Sequence, residues 1–427
     1  MRDINIFFKE KPLKMMCLGF SSGLPILLVF STLSVWLVKA GVNRSTVTLF
    51  SWAGFAYAFK YLWSPLIDNY KLPFLKQFGH RKSWLFLSQL LIIFTLILTA
   101  FTDPQDNLFF TALFISLLAF FSATQDILID AFRIESAPQS QQGPLSSMYI
   151  AGYRVAMLTA GAGSLWLAAF FGDETYNQDV WKKVYLIMSL FMLIGVFTTI
   201  YSKEPRIKKK FSKDNHFKFF LSILFAVVGF IFLYSIIDNP YGKNDILLSF
   251  IFSIARLISC FIFGFFVIYF LIIFNFVSKE KISISYLSPI TNFLKRYGKF
   301  AFFILLLISL YRIADVVMGV MANIFYLEKG YKISEIATFS KFFGVFATIV
   351  GGFIGGYCSY KFGTMKALFF GALIAALSNL LFAWLAISPT SINFLVAVIT
   401  ADNISSGFAG AAFVIYLSGL TSIKFTA

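Results

Sequence analysis

Charge is scarce in this chain. Asp, Glu, Lys and Arg together make up 13% of its 427 residues, about half the share of an ordinary globular domain. That excludes a conventional solvated surface. Histidine is limited to two residues, His80 and His216, both in polar loops. The three cysteines, Cys17, Cys260 and Cys358, are scattered in or beside apolar runs. Without paired spacing they support neither a disulfide framework nor a zinc site. No metal cluster and no Ser-His-Asp arrangement can be assembled, so no cofactor is expected. Acidic residues are outnumbered 36 to 20, a net charge of +16. The basic residues sit in short loops between apolar runs, where positive-inside topology accounts for them, so nucleic acid is not an expected partner. No cleavable signal peptide is evident, because the first apolar run is too long and lacks a small-residue cleavage site.

What the chain has instead is apolar length. Hydrophobic residues are 59% of the total, with a mean hydropathy of +0.79. A helix needs about 20 consecutive apolar residues to cross the hydrocarbon of a bilayer. Runs of that kind predict twelve helices, near 14–38, 46–67, 83–102, 108–132, 146–171, 182–201, 217–237, 246–277, 299–326, 336–358, 365–387 and 392–419. The fold class is all-α, a polytopic membrane bundle. Every second loop is basic: Lys9, Lys11 and Lys14 precede the first helix, Lys71, Lys76, Arg81 and Lys82 follow the second, and Lys203 to Lys218 follow the sixth. The alternate loops, such as 103–107 and 172–179, are short and acidic or neutral. The N-terminus and the basic loops are therefore expected in the cytoplasm, and the lipid bilayer is an expected partner.

A weak internal repeat divides the chain. Pro65-Leu-Ile-Asp68-Asn-Tyr, followed by Gly79-His-Arg81-Lys82, lies between the second and third helices. Its counterpart, Gly351 to Gly363, follows the tenth and is rich in glycine pairs that let helices approach. Residues 1–202 then form a six-helix half, 203–298 carry basic loops and two inserted helices, and 299–427 hold only four helices of a second half, two fewer than symmetry asks.

The stretch Ser122-Ala-Thr-Gln125-Asp126-Ile-Leu-Ile-Asp130-Ala-Phe-Arg133-Ile-Glu135 carries charge into a run that otherwise belongs in lipid. An ionised side chain at mid-bilayer costs about 2.5–3.5 kcal/mol on insertion scales, so it needs a partner or a wet cavity. Asp126 lies about 9 Å and Arg154 about 12 Å from the same membrane face. The two can pair, either as an element that alternates with substrate and proton or as a permanent structural ion pair. Asp130, Arg133 and Glu135 sit at the membrane edge and, with Asp68 and Arg81, are candidates for a cytoplasmic latch between the halves. Arg312 and Asp315 share one helix face and can satisfy each other locally. Asp402 falls near mid-depth with no local basic partner. Lys60 and Lys341 are near enough to helix ends to snorkel, and Arg256 reads as structural. Trp36, Tyr57, Trp63, Tyr149 and Tyr153 are candidates to stack on sugar rings. Gly23-Leu-Pro25, Gly152 and the Gly161/Gly163 pair interrupt helices, as in transporters whose broken helices line a cavity.

Seven motifs, in order, resemble the AmpG-type muropeptide permeases of the major facilitator superfamily. They are Gly19-Phe-Ser-Ser-Gly23-Leu-Pro25, Phe59 to Asp68, Phe121 to Asp130, Gly152-Tyr-Arg154, Tyr311-Arg-Ile-Ala-Asp315, Ala347 to Gly352 and Asp402 to Gly407. The resemblance implies a proton-driven permease of the Gram-negative inner membrane that imports anhydro-muropeptides for cell-wall recycling, a small sugar-peptide substrate carried with protons. It implies dependence of activity on Gly23, Ala123, Gln125 and Gly152. Substrate and proton path candidates are then these four with Asp126, Arg154, Arg312, Asp315 and Asp402. The family pattern continues past Phe425-Thr-Ala427, so a permease remnant without transport is the alternative. An intramembrane enzyme holding magnesium diphosphate on Asp126 and Asp130 needs a second acidic cluster, which the sequence does not supply. Oligomeric state stays open.

Overall fold

The computed structural model describes residues 4–172, 175–205, 216–241, 245–313, 318, 322, 325–336, 339 and 343–422. Asp315, Lys341 and the terminal Phe425 to Ala427 lie outside them. Every regular element among the described residues is a helix. The principal ones are α1 (Glu10–Val29), α2 (Ser31–Lys39), α3 (His80–Ala100), α4 (Leu108–Ser136), α5 (Gln142–Leu158), α6 (Ser164–Phe171), α7 (Gln178–Phe191), α8 (Leu193–Tyr201), α9 (His216–Ile236), α10 (Ile246–Ile273), α11 (Phe300–Tyr311), α12 (Gly344–Phe362), α13 (Thr364–Ile387) and α14 (Ile392–Leu420). Among the described residues eight stretches are long and apolar enough to cross a membrane, and Leu221–Ile236 and Phe300–Tyr311 are shorter apolar helices. The 19-residue, glycine-rich α12 is not among the eight.

One expected helix is broken. Residues 46–67 form no continuous span but three short helices, Arg44–Leu49, Gly54–Ala58 and Ser64–Asn69, with turns between them. Pro65 explains the last break, since it has no N–H to give the carbonyl of Tyr61 four residues earlier. The Ser64 hydroxyl donates to that carbonyl instead, at 3.1 Å.

The chain divides into two compact units. The first comprises Met1–Lys60, Leu72–Lys209 and Leu305–Ala427, and the second Tyr61–Lys71 and Lys210–Ile304. In the second unit α9 and α10 pack as a pair, with Phe230 against Phe261 at 5.1 Å between ring centroids. Arg256 lies 3.8 Å from the centroid of the Tyr234 ring and donates to the Tyr234 carbonyl. Its charge is met inside the hairpin, by a ring face and a main-chain oxygen.

In the first unit α1 and α5 touch backbone to backbone. A Cβ on Gly19 would lie 2.1 Å from the Tyr149 carbonyl oxygen, one on Gly23 2.4 Å from that of Tyr153, and one on Gly152 1.9 Å from that of Met16. Lipid is as apolar as leucine, so such contacts, and not hydrophobic burial, drive association of membrane helices. The same device joins α12 to α14, where Gly351, Gly355 and Gly407 meet the carbonyls of Ile404, Phe408 and Thr348. A packed cluster around Leu24, Leu28, Trp36, Ile92, Ile115 and Tyr185 fills the space among α1 to α4 and α7. Trp36 is fully buried there and stacks on Trp181 at 5.8 Å. It therefore cannot stack on a sugar.

Gly152→Ala is expected to cost stability at the upper end of the roughly 1–3 kcal/mol of overpacking. Gly163→Ala, whose Cβ would meet nothing nearer than 3.8 Å, is expected to leave the melt unchanged. Thermal unfolding of the two variants in detergent checks the contrast.

Candidate functional site

The polar interior begins at a proline. Pro25 deprives the Ser21 carbonyl of its backbone donor, and Gln125 of α4 replaces it, its Nε2 donating to Ser21 O at 2.9 Å. The Ser21 hydroxyl returns a bond to Gln125 Oε1 at 2.9 Å. Gln125 is fully buried. It clamps α1 to α4. Ala123, also fully buried, packs in the same helix. Gly23 and Gly152 are points of helix approach.

One residue on from each clamp partner, Ser22 donates to Asp126 Oδ1 at 2.5 Å and shares a bond with the Tyr149 hydroxyl at 3.0 Å. Asp126, 8% exposed, thus ties α4 through α1 to α5. Its ionic partner is Lys60, with Nζ 3.8 Å from Oδ2. The expected pairing of Asp126 with Arg154 is not what the structure has. Read as one long helix, 46–67 put Lys60 near a helix end; the broken backbone brings it to Asp126. Arg154 is half-buried in α5, its Nη1 meeting the Met157 sulfur at 3.8 Å. Arg312, at the turn that ends α11, donates to the Ser406 carbonyl of α14 at 3.1 Å. Asp402 is half-buried in α14, within electrostatic range of Tyr326.

Of the five latch candidates, Arg81 and Glu135 form a buried two-armed pair, Nη2 to Oε1 at 2.7 Å and Nε to Oε2 at 3.0 Å. It joins α3 to α4. Glu204, which the sequence did not single out, accepts from the backbone N–H groups of Arg81 and Lys82 at 2.8 and 3.0 Å, a carboxylate seated on the positive end of α3. Gly79 makes room for it: its φ is +93°, and a Cβ there would lie 2.5 Å from Glu204. Asp68 belongs to the second unit.

Arg133 is the latch candidate that reaches the C-terminal helices. Its Nη2 donates to Asp130 at 3.0 Å, and its Nη1 donates to Ser146 at 2.9 Å and to Ser418 of α14 at 2.8 Å. Nearby Gln139 donates to the Ile415 carbonyl at 3.2 Å, and Ser147 of α5 to the Gly352 carbonyl of α12 at 2.9 Å. A Cβ on Gly143 would fall 2.7 Å from the Gly356 carbonyl oxygen. These contacts bring the end of α4 and the start of α5 against α12 and α14, so that face of the unit is sealed. Beyond the opposite ends of α2 and α3, Tyr176 donates to Asp103 at 2.7 Å. Burial, reinforced by that carboxylate, pushes its phenol above its ordinary pKa.

The family model of the Major Facilitator Superfamily matches residues 15–424. The chain belongs to that superfamily. A Rickettsia conorii (strain ATCC VR-613 / Malish 7) protein that carries the name transporter AmpG 4 is 31% identical over 428 residues, 100% of this chain and 86% of the relative. Its namesake in Rickettsia felis (strain ATCC VR-1525 / URRWXCal2) is 32% identical over 99% of this chain and 85% of the relative. The structure of the MFS proton:xylose symporter XylE bound to 6-bromo-6-deoxy-D-glucose shares the fold, with TM-score 0.58 at 14% identity over 99% of this chain and 83% of XylE. This facilitator is a multi-pass membrane transporter and not an enzyme. The all-α class expected from the apolar runs is the class observed.

Within the facilitator, Gln125→Leu is expected to cost about 1–3 kcal/mol, because it leaves the Ser21 carbonyl buried without a donor. Adding Pro25→Ala, which restores the backbone N–H, is expected to recover part of that loss in thermal melts. Arg133→Ala is expected to loosen the sealed face. A cysteine at Ser147, which is 1% exposed, then reacts faster with a water-soluble maleimide than it does in the Arg133 parent.

Proposed function

We propose that this facilitator imports anhydro-muropeptides across the bacterial inner membrane together with protons, by alternating access, with its N-terminus in the cytoplasm. The observation that carries the proposal is the Asp126–Ser22–Tyr149 chain. It links a titratable group inside a span to α5, the helix whose first turns close one face through Ser147 and Gly352. Protonating Asp126 removes the charge that holds Lys60 and weakens the acceptor that orders the Ser22 hydroxyl. Tyr149 feels the change first, and it lies two residues from Ser147. The guanidinium of Arg133, which holds Ser418, stands 6.0 Å from the Tyr149 ring centroid. Proton occupancy at Asp126 and closure of the sealed face are thus coupled through one short set of contacts. The muropeptide substrate is supported by the motifs shared with the AmpG-type permeases and by the names of the rickettsial relatives.

The test is uptake of labelled N-acetylglucosaminyl-anhydro-N-acetylmuramyl tripeptide into proteoliposomes, with and without an imposed proton gradient. Wild type is expected to accumulate it only with the gradient inward. Asp126→Asn is expected to lose accumulation while retaining exchange of internal for external substrate. Gradient-independent uptake by wild type overturns proton coupling, and no uptake overturns the substrate.

A further inference from the structure

We infer that residues 279–297 form an amphipathic helix lying in the plane of the membrane surface. Its apolar face enters the lipid, and its basic residues bind anionic phospholipid headgroups.

Covalent connection fixes where the segment lies. It belongs to the connector between α10, which ends at Ile273, and α11, which starts at Phe300. The first of these is an apolar span and the second a shorter apolar helix, so both ends of the connector leave from the bilayer. Helical turns at Lys279–Ile282 and Ser283–Leu287 run into the helix Ser288–Tyr297. Gly298 follows with φ +52°, the left-handed conformation in which helices end on glycine.

The start of the segment is anchored on its own unit. Tyr286 stacks on Phe219 of α9 with 6.1 Å between ring centroids, and its hydroxyl donates to the Leu62 carbonyl. The later turns are open. Leu287, Ile290 and Leu294, three and four residues apart and therefore on one face, are 55%, 57% and 46% exposed. Phe293 and Tyr297 widen that face and pack on each other at 4.9 Å. Ser288, Thr291, Asn292 and Lys295 fall on the opposite side, with Arg296 at its edge. A helix divided in this way cannot span, because its polar side would enter hydrocarbon. Nor can it stand off in water without exposing the apolar side. Lying flat satisfies both, with the apolar face about 5–10 Å into the headgroup and acyl boundary.

Charge selects the lipid. Lys279, Lys281, Lys295, Arg296 and Lys299 stand against Glu280 alone, and Lys279, Lys295, Arg296 and Lys299 are exposed. A zwitterionic lipid meets the apolar face equally well but offers the basic residues no net attraction. An anionic leaflet offers both. Topology accounts for basic residues in a loop, but not for an apolar stripe left open beside them. Tyr297, whose ring lies 4.7 Å from the Arg296 guanidinium, suits the headgroup level, with an apolar ring and a polar tip.

The experiment uses the full chain with Cys17, Cys260 and Cys358 replaced by serine, and a fluorophore on one new cysteine at position 290, 291, 292 or 294. Each protein is reconstituted in phosphatidylcholine vesicles with and without phosphatidylglycerol, and quenching is read with a lipid carrying a nitroxide high on its acyl chain. Positions 290 and 294 are expected to be quenched and 291 and 292 spared. Phosphatidylglycerol is expected to strengthen the quenching at 290 and 294, and 1 M salt to remove that gain. Lys295→Gln with Arg296→Gln is expected to lose the gain as well, at about fivefold in lipid affinity per charge; either single variant decides this should the double variant fold poorly. Equal quenching at all four positions overturns the in-plane helix. A fluorophore at 290 that is spared by the nitroxide overturns it too: aqueous iodide then reports a face left in water if it quenches, and a face covered by protein if it does not. Quenching indifferent to phosphatidylglycerol overturns the binding of anionic headgroups.

Discussion

Backbone against backbone along α1 and α5 is the constraint on which the interior depends. Gly19, Gly23 and Gly152 bring the two helices so close that carbonyl oxygens occupy the places of side chains. Ser22 is next to Gly23, Tyr149 faces Gly19, and Arg154 follows Gly152 by two residues. The hydrogen-bond chain from Asp126 through Ser22 to Tyr149 therefore exists because these helices have no bulk between them. Lipid supplies no hydrophobic drive for such an approach. Close van der Waals contact and the buried polar bonds it permits must supply it. Pro25 adds the second requirement, a carbonyl without a backbone donor, and Gln125 meets it.

The ionised groups inside the bundle differ in how completely they are met. Arg81 and Glu135 have short, two-armed geometry, and removing one partner of such a buried pair costs about 3–5 kcal/mol. Those residues hold α3 to α4. Arg133 is satisfied too, but partly by Ser418 and so across the sealed face. Its bonds can be exchanged for water when that face opens. Asp126 is held by one short hydroxyl bond and a Lys60 ammonium at 3.8 Å, and Arg154 by less. The order runs from fixed to exchangeable as one moves from the helix ends to the interior, as the proposed carriage of solute with protons requires.

The α9–α10 pair has no such gradient. Its arginine is answered by Tyr234 and its polar end by Asn239, whose Nδ2 donates to the Ser249 hydroxyl at 2.8 Å. It is a hairpin in which Arg256 and Asn239 find partners within the pair, as lipid demands of a helical insertion.

Composition and the spacing of apolar runs by themselves determined that this is an all-helical membrane protein, where most helices begin and end, and which charges would be expensive. Each of those follows from the cost of moving a side chain or a peptide group from water to hydrocarbon, which is a local property of the residue. Partnership is not local. That Asp126 meets Lys60 and not Arg154, that Gln125 answers Pro25, that Glu204 seats on α3, and that Arg133 reaches Ser418 each depend on where a second helix lies. The break in 46–67 shows why: the apolar pattern of that run suits a span, yet the proline and the turns before it send Lys60 inward. Hydropathy records how much each residue prefers lipid, and only the packed backbone decides which neighbour it meets there.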